Sequence, residues 1–146
     1  MKKPVLLVAE DNALDALLLE RVLERCGDVF QMVQVEDGEG VIDYLLGNGA
    51  YADRAAHPLP NLILLDLKMP RKDGFAVLRW RQETPAFIQV PVIVFSSSSL
   101  PGDVARAYTL GANSYTVKPS DPQRFEQMVS ALQAWWTQFN IGVSPA

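Results

Sequence analysis

Five polar residues, at the ends of four strand-like runs, have side chains that could together bind a phosphoryl group and a divalent cation. In chain order they are Glu10, Asp11, Asp66, Ser96 and Lys118. The carboxyl ends of parallel strands lie along one edge of a sheet, where such folds bind ligands. We therefore expect these side chains to converge, although the sequence separates them widely.

Three of these residues are candidate metal ligands. Mg²⁺ takes oxygen ligands and is usually held by one or two carboxylates together with phosphate. Asp11 and Asp66 are expected to bind the ion directly, Glu10 through a water, and the backbone carbonyl of Lys68 is a further candidate. Each carboxylate alone is better explained as a solvated strand end or a helix cap. Together with Lys118, the three predict a cation site.

Asp66 is also a candidate nucleophile, because aspartate forms acyl-phosphates in phosphoryl-transfer proteins. Such transfer requires positioning and charge neutralisation. The cation and the Lys118 ammonium would neutralise charge, and the Ser96 hydroxyl could donate to a phosphate oxygen. Taken singly, Ser96 is better explained as a helix cap, Lys118 as a surface lysine and Tyr115 as a half-buried aromatic of an edge strand.

The bulk properties bound the class of protein. The chain has 146 residues, 49% hydrophobic and 21% charged, as expected of one globular domain. A net charge of −4 gives no support for nucleic-acid binding. One cysteine excludes an intramolecular disulfide, and no apolar run approaches the ~20 residues of a membrane span. We expect a cytoplasmic protein with neither nucleic acid nor membrane as partner.

Apolar runs alternate with helical patterns five times. The predicted strands are Val5–Ala9, Gln31–Val35, Leu62–Asp66, Val92–Phe95 and Ser114–Val117. The predicted helices run from the Asn12 cap to Gly27, from Gly38 to Leu46, over about Phe75–Glu83 and Gly102–Leu110, and from the Asp121-Pro122 cap through Trp136. Hydroxyls of Ser96–Ser99 are expected to cap the fourth helix. Residues 47–60 are expected to form either a loop or an extension of the second helix. This alternation predicts an α/β doubly wound sandwich.

The motifs together resemble the receiver family of response regulators in two-component signalling, over about residues 4–138. They are Glu10-Asp11, Leu64 to Pro70 around Asp66, Val94-Phe95-Ser96-Ser97, and Tyr115 to Pro119. The intervals of 30 residues from Asp66 to Ser96 and 22 from Ser96 to Lys118 are also similar to the family's. The resemblance implies a (βα)5 flavodoxin-like sandwich with a five-stranded parallel sheet in strand order 2-1-3-4-5.

The resemblance also implies a mechanism. A partner histidine kinase would transfer a phosphoryl group to Asp66 with Mg²⁺ bound. Ser96 and Tyr115 would then rotate together and change the surface of the fourth helix, fifth strand and fifth helix. It further implies a cis Lys118–Pro119 bond. The acidic first member Glu10, the longer segment 47–60 and the tail of the fifth helix resemble small receivers paired with bacterial and cyanobacterial phytochromes, so the kinase could be a photoreceptor of that type.

Five positions depart from the family pattern or vary within it. Glu10 replaces the commoner aspartate, and Lys68 and Ser97-Ser98 occupy variable positions that would set the rate of phosphoryl hydrolysis. Arg81 lies where the third helix usually has an apolar residue, and we expect Trp80 to take over that packing.

We expect residues 1–146 to form one receiver domain, with a core of about 4–140 and no output domain, because only about six residues follow the last predicted helix. Its output is then binding to another protein or relay of the phosphoryl group. Trp135, Trp136 and Phe139 crowd the end of the fifth helix, where at least one aromatic is expected to be exposed, although both tryptophans could pack inside. With Tyr108, they could form a homodimer through the last two helices.

Three other functions compete with the switch. A constitutive docking domain with vestigial phosphorylation would not need the intact acidic set. A Mg²⁺-dependent aspartyl-phosphate hydrolase would need an acid–base carboxylate where Lys68 stands. A flavin module would need a phosphate-cradling loop where Glu10-Asp11-Asn12 stands. We therefore expect a signalling switch and no enzyme beyond self-phosphorylation from phosphodonors and autodephosphorylation.

Overall fold

Five parallel strands form one sheet in the computed structural model, which describes residues 2–143. They are β1 Val5–Ala9, β2 Gln31–Val35, β3 Leu62–Leu65, β4 Val92–Ser96 and β5 Ser114–Val117. Their order across the sheet is β2-β1-β3-β4-β5, and every pairing is parallel. The predicted fold class and strand order are confirmed.

Five α-helices connect and follow the strands. They are α1 Ala13–Arg25, α2 Gly38–Leu46, α3 Gly74–Gln82, α4 Pro101–Thr109 and α5 Pro122–Gln138. Short 3₁₀ turns cover Gly49–Tyr51 and Pro85–Phe87. The predicted caps of α1 and α5 are confirmed, since Asn12 accepts from the amides of Leu14 and Asp15, and Asp121 from that of Gln123. These caps satisfy amides that the first helical turn leaves without partners.

The predicted cap of α4 was wrong. Its N-cap is Leu100, which provides no side-chain hydrogen bond, and Pro101 occupies the first turn. Because proline has no N–H group, one fewer amide of the first turn needs a hydrogen-bond acceptor, and the need for a cap is smaller. The Ser98 hydroxyl instead accepts from the Leu100 amide at 3.3 Å and donates to Asp103 Oδ2 at 2.6 Å.

The sheet separates two hydrophobic cores. Alternate residues of β1 serve both, because successive strand side chains point to opposite faces. Leu7 lies in the core beneath α2, α3 and α4, whereas Leu6 lies in the core beneath α1 and α5. Burial on both faces explains why these strands are continuous apolar runs. Packing on both faces therefore holds the carboxyl ends of the strands at fixed positions along one edge of the sheet.

Residues 47–60 form a loop with one 3₁₀ turn and do not extend α2. Gly47 ends α2 in the left-handed region, at φ 72°. The Arg54 guanidinium then donates to the carbonyls of Tyr44 at 2.7 Å and Leu45 at 2.5 Å. The loop therefore supplies partners to the carbonyls at the end of the helix.

Arg81 is itself buried, and the neighbouring Trp80 packs against the core in part. Arg81 is only 3% exposed, and its guanidinium donates to the carbonyls of Val90 and Ile88, each at 2.9 Å, and of Gly111 at 3.0 Å. A buried guanidinium is tolerated when such acceptors surround it. Trp80 is only half-buried. Arg81 thus ties α3 to the loops before β4 and β5.

The Lys118–Pro119 bond is trans, so the implied cis bond was wrong; residues 2–143 contain no cis peptide. Trans is the isomer that X–Pro bonds ordinarily favour, by about 0.5–1 kcal/mol. The Lys118 amide donates to the Ser96 carbonyl at 2.8 Å, which continues the β4–β5 ladder up to this bond.

Across residues 2–143, no helix combines the length and the apolar character needed to cross a membrane.

Candidate functional site

Strands β1 and β3 are neighbours and end at the same level, since Ala9 pairs with Leu65. The residues that follow them therefore meet at one edge of the sheet. Carboxylate oxygens of Glu10, Asp11 and Asp66 all lie within 4.8 Å of one another. The first and third of these residues are buried and Asp11 is exposed. The predicted acidic cluster is thus brought together.

Lys118 reaches this cluster from the end of β5. Its Nζ lies 2.6 Å from Glu10 Oε2 and 2.9 Å from Asp66 Oδ2. The ammonium also lies over the Phe95 ring, 5.6 Å from the centroid. One cation therefore faces three carboxylates, and the cluster keeps a net negative charge.

Burial and ion pairing compete in setting the protonation of this cluster. Burial raises the pKa of Glu10, and the hydrogen bond from Lys118 offsets this only in part. For Lys118, burial alone would lower the pKa, but the hydrogen bonds to Glu10 and Asp66 hold it above its ordinary value. Lys118 is therefore cationic at neutral pH.

The cluster fits a hard divalent cation. Its donors are carboxylate oxygens, which Mg²⁺ and Mn²⁺ prefer, and its net charge is negative. One side of the site is already ordered, because the Lys68 amide donates to Asp66 Oδ1 at 3.2 Å. The loop that follows β3 therefore contacts the central carboxylate directly.

Ser96 ends β4, the neighbour of β3 on the side away from β1. Its side chain is buried, and its Oγ accepts from the Ser98 amide at 3.1 Å. Tyr115 is half-buried, and its hydroxyl donates to the Ser98 carbonyl at 2.9 Å. Ser96 and Tyr115 are thus joined through one residue, Ser98.

Ser98 was predicted as a possible cap of α4 and as a position that affects phosphoryl hydrolysis, but its link between Ser96 and Tyr115 was not predicted. The signal in the sequence for this link was the position of Ser98, two residues after Ser96 and at the start of the turn into α4. The burial of Asp37 and its pairing with Arg71 were also not predicted. No local pattern connects residues so far apart in sequence.

A cavity of about 550 Å³ lies beside the cluster, between α1 and the loops after β4 and β5. Asp66 and Lys118 line it together with apolar side chains that include Leu18 and Phe125. Two further leucines of α1, Leu14 and Leu17, are exposed nearby on the same helix. The site therefore opens beside an apolar helical surface.

Comparison with known proteins identifies the family. The description "Response regulator receiver domain" matches residues 6–130. A curated relative is the probable methanogenesis regulatory protein FilR2 of Methanothrix harundinacea, 31% identical over 97% of this chain and 89% of its own length.

Three solved structures are similar over nearly the whole chain. The phosphorylated cyanobacterial phytochrome response regulator RcpA has a TM-score of 0.88 and 31% identity, covering 98% of this chain and 100% of its own. RPA3017, from red light signaling of R. palustris, has a TM-score of 0.90 and 34% identity, covering 97% of this chain and 99% of its own. The Mn²⁺-bound form of Rcp1, a Synechocystis response regulator, has a TM-score of 0.85 and 30% identity, also covering 97% and 99%.

These likenesses agree with the geometry at the sheet edge. Receiver domains are signalling switches rather than classical enzymes, and they bind Mg²⁺ or Mn²⁺ at an acidic pocket. Phytochrome response regulators are among the structural neighbours. The chain belongs to the response-regulator receiver family.

Proposed function

We propose that this protein is a phosphorylation-activated switch that accepts a phosphoryl group on Asp66 from a sensor histidine kinase. The observation that carries the proposal is the position of Lys118, whose ammonium lies 2.9 Å from Asp66 Oδ2 within an otherwise acidic cluster. An ammonium at this position can stabilise the negative charge of a phosphoryl oxygen bound next to Asp66. Phosphoryl transfer depends on such positioning and charge stabilisation.

The transfer exchanges one bond for another. A carboxylate oxygen of Asp66 forms the new O–P bond, the P–N bond of the kinase's phosphohistidine breaks, and the imidazole nitrogen keeps the electron pair. Glu10, Asp11, Asp66 and the Lys68 carbonyl would hold a Mg²⁺ ion. When bound, the ion neutralises charge on the phosphoryl oxygens. Self-phosphorylation from small phosphodonors and autodephosphorylation would use the same groups.

Ser96 and Tyr115 would pass the signal on. The Ser96 oxygen accepts from the Ser98 amide, so its own proton is available to a phosphoryl oxygen. Turning towards that oxygen would weaken the bond to Ser98, whose carbonyl holds the Tyr115 hydroxyl. The surface formed by α4, β5 and α5 would then change.

The exposed leucines of α1 support docking of the kinase beside the cavity. Leu14, Leu17 and Leu18 form an apolar helical surface next to Asp66, which an amphipathic helix of a kinase would cover. The likeness to RcpA and RPA3017 supports a photoreceptor kinase of the phytochrome type.

The output is proposed to be protein binding or phosphoryl relay by this receiver domain, in the cytoplasm. One form of protein binding that we propose is a homodimer through α4 and α5. Trp136 packs on Phe30, with ring centroids 5.2 Å apart, whereas Trp135 and Phe139 at the end of α5 are exposed. Tyr108 of α4 is also exposed.

The phosphoacceptor is tested by mass spectrometry after incubation with a small phosphodonor and Mg²⁺. The wild type is expected to gain one phosphate and Asp66→Asn none. Asp43→Asn, at an exposed aspartate of α2, is the matched control and is expected to label fully. Unchanged labelling of Asp66→Asn would refute the mechanism.

The ligand ranking is tested by calorimetry with Mg²⁺. Asp11→Ala is expected to weaken binding more than Glu10→Ala, because the Glu10 carboxylate is already engaged by Lys118. Changes to residues around a metal site often cost 10–100-fold in affinity, and loss of a direct ligand should cost more. Equal effects of the two variants would contradict the ranking.

The homodimer is tested by light scattering over a concentration series, with and without phosphodonor. Phe139→Ala is expected to weaken association about thirtyfold, the effect of losing about 2 kcal/mol at a central aromatic. Ile88→Ala, at an exposed apolar residue away from α5, is the control. A wild type that stays monomeric at high micromolar concentration in both states rules this output out.

A further inference from the structure

The loop between β3 and α3, residues 67–73, is attached at its tip to the start of α2. The Arg71 guanidinium forms an ion pair with the Asp37 carboxylate, with Nε 2.7 Å from Oδ2 and Nη2 bonded to the same oxygen. The Gly38 amide donates to the Lys72 carbonyl at 2.9 Å. Asp37 is only 4% exposed. Thus a buried carboxylate and a backbone hydrogen bond hold this loop.

The attachment depends on close packing and on an unusual backbone. A Cβ at Gly38 would lie 2.4 Å from the Lys72 carbonyl oxygen, so only glycine allows this approach. Arg71 has φ 63°, in the left-handed region that residues with a Cβ seldom adopt. Such a conformation persists only where surrounding contacts hold it. The ion pair to Asp37 is the contact that does so here.

The base of the same loop is closed just as tightly. The Gly74 amide donates to the Leu67 carbonyl at 3.0 Å, and a Cβ at Gly74 would lie 2.4 Å from the Asp66 carbonyl oxygen. Lys68 lies between base and tip, and its amide donates to the Asp66 carboxylate. With both ends fixed, the loop leaves Lys68 little freedom relative to Asp66.

Asp37 does more than cap its helix. Its Oδ1 accepts from the Gly40 amide at 2.7 Å, as an N-cap requires. A serine or asparagine would serve that role equally well. Its second oxygen, Oδ2, is used entirely by Arg71. The charge and the second oxygen of Asp37 are therefore directed at the loop after β3.

We propose that Asp37, Gly38 and Arg71 are positioning residues for the phosphorylation site, which hold the loop after β3 so that Lys68 and Asp66 bind the divalent cation together. This rests on the proposed function, in which the Lys68 carbonyl and the Asp66 carboxylate are ligands. Coupling between two sites is reciprocal. Bound cation must then also stabilise the contact between the loop and α2.

The test measures Mg²⁺ and Mn²⁺ affinity of the full chain by calorimetry. Arg71→Gly removes the guanidinium and relieves the left-handed backbone, and Asp37→Ser keeps a cap but removes the charge. Both are expected to weaken binding about tenfold or more, as changes that orient metal ligands do. Glu39→Gln is the matched control, because Glu39 lies 4.0 Å from Arg71 and should change affinity less than twofold.

A second readout separates positioning from plain structural loss. Hydrogen exchange of the Gly38 amide is expected to slow on addition of Mg²⁺ in the wild type and not in Arg71→Gly. Wild-type affinity in both Arg71→Gly and Asp37→Ser would overturn the proposal.

The same experiment distinguishes failure of the positioning role from failure of the site. Asp66→Asn and Asp11→Ala are measured alongside. If they lose cation binding while the Arg71 and Asp37 variants keep it, the positioning role alone is wrong. If they bind as the wild type does, the proposed site itself is wrong and the positioning role falls with it.

Discussion

The two loops that flank Asp66 are held in contrasting ways. The loop after β3, residues 67–73, is fixed by glycine contacts, backbone hydrogen bonds and the ion pair to buried Asp37. The loop after β4, residues 97–100, is held through Ser98, whose amide, carbonyl and hydroxyl bond Ser96, Tyr115 and Asp103. The helix that follows it starts without a side-chain cap.

This difference shows how one site can be rigid and switchable together. A backbone contact at van der Waals distance cannot be exchanged for another, because moving it opens a void or creates a clash. A hydrogen bond of net worth about 0.5–1.5 kcal/mol can be exchanged for an equivalent one. We therefore expect the cation side of Asp66 to stay fixed on phosphorylation and the Ser98 side to rearrange.

The largest expected effect comes from adding one methyl group at Gly74. Its Cβ would lie 2.4 Å from the Asp66 carbonyl oxygen and 2.8 Å from the Leu67 Cα, both backbone atoms. Gly74→Ala should lower the free energy of unfolding by about 3 kcal/mol, the upper range for overpacking. Urea unfolding measures it.

Gly102→Ala, in the first turn of α4, is the matched control. Its Cβ would meet nothing within 4 Å, so it should raise the free energy of unfolding by up to about 1 kcal/mol. Equal effects at the two glycines would remove the contrast between the loops.

A smaller decrease in the free energy of unfolding is expected from Asp37→Asn, which keeps the cap of α2 and removes the charge. Burial alone would raise the pKa of Asp37, but the Gly40 amide and the Arg71 guanidinium hold it below its ordinary value. A carboxylate with a lowered pKa stabilises the fold above its ordinary pKa, and this stability is lost as the pH falls through the lowered value.

The wild type should therefore exceed Asp37→Asn in the free energy of unfolding at pH 7, by less than the effect at Gly74, because the Arg71 side chain is largely exposed and solvent screens the pair. Unfolding measured as a function of pH should show this difference shrinking below about pH 3.8. A difference that stays constant from pH 7 to pH 3 would mean that Arg71 does not depend on the Asp37 charge.

The sequence predicted the fold because its signals are local. Runs such as Val5–Ala9 are long enough to specify buried strands, and Asn12 or Asp121 needs only its own helix to act as a cap. The convergence of Glu10, Asp11 and Asp66 followed from one rule about the ends of parallel strands. The roles of these residues remain predictions that the experiments above address.

What the sequence could not predict depends on contacts between distant segments. Arg81 looks misplaced on an apolar helical face until its partners, the carbonyls of Ile88, Val90 and Gly111, are known. Asp37 likewise reads as an ordinary turn residue until Arg71 is placed beside it. Carbonyl acceptors carry no side-chain signature, so sequence patterns do not reveal them.

The smallest effect on overall stability, and the sharpest test of the contrast, is expected from Ser98→Ala. The variant removes the hydroxyl that bonds Asp103 and the Leu100 amide, but keeps the backbone groups that hold Ser96 and Tyr115. It should cost about 1 kcal/mol of unfolding free energy or less. Its main consequence should be local, because α4 then begins with neither a cap nor a tie to the loop.

Hydrogen exchange measures that consequence directly. The Val104 amide, which bonds the Leu100 carbonyl at 3.1 Å, should exchange about fivefold faster in Ser98→Ala, the equivalent of losing about 1 kcal/mol of local stability. Exchange of the Gly74 amide, which closes the base of the loop after β3 by donating to the Leu67 carbonyl, should stay unchanged. Ser99→Ala, at an exposed neighbour, is the control and should alter neither amide. Faster exchange at Gly74 as well would show that the two loops open together, and that the rigid side of Asp66 is not independent of the switching side.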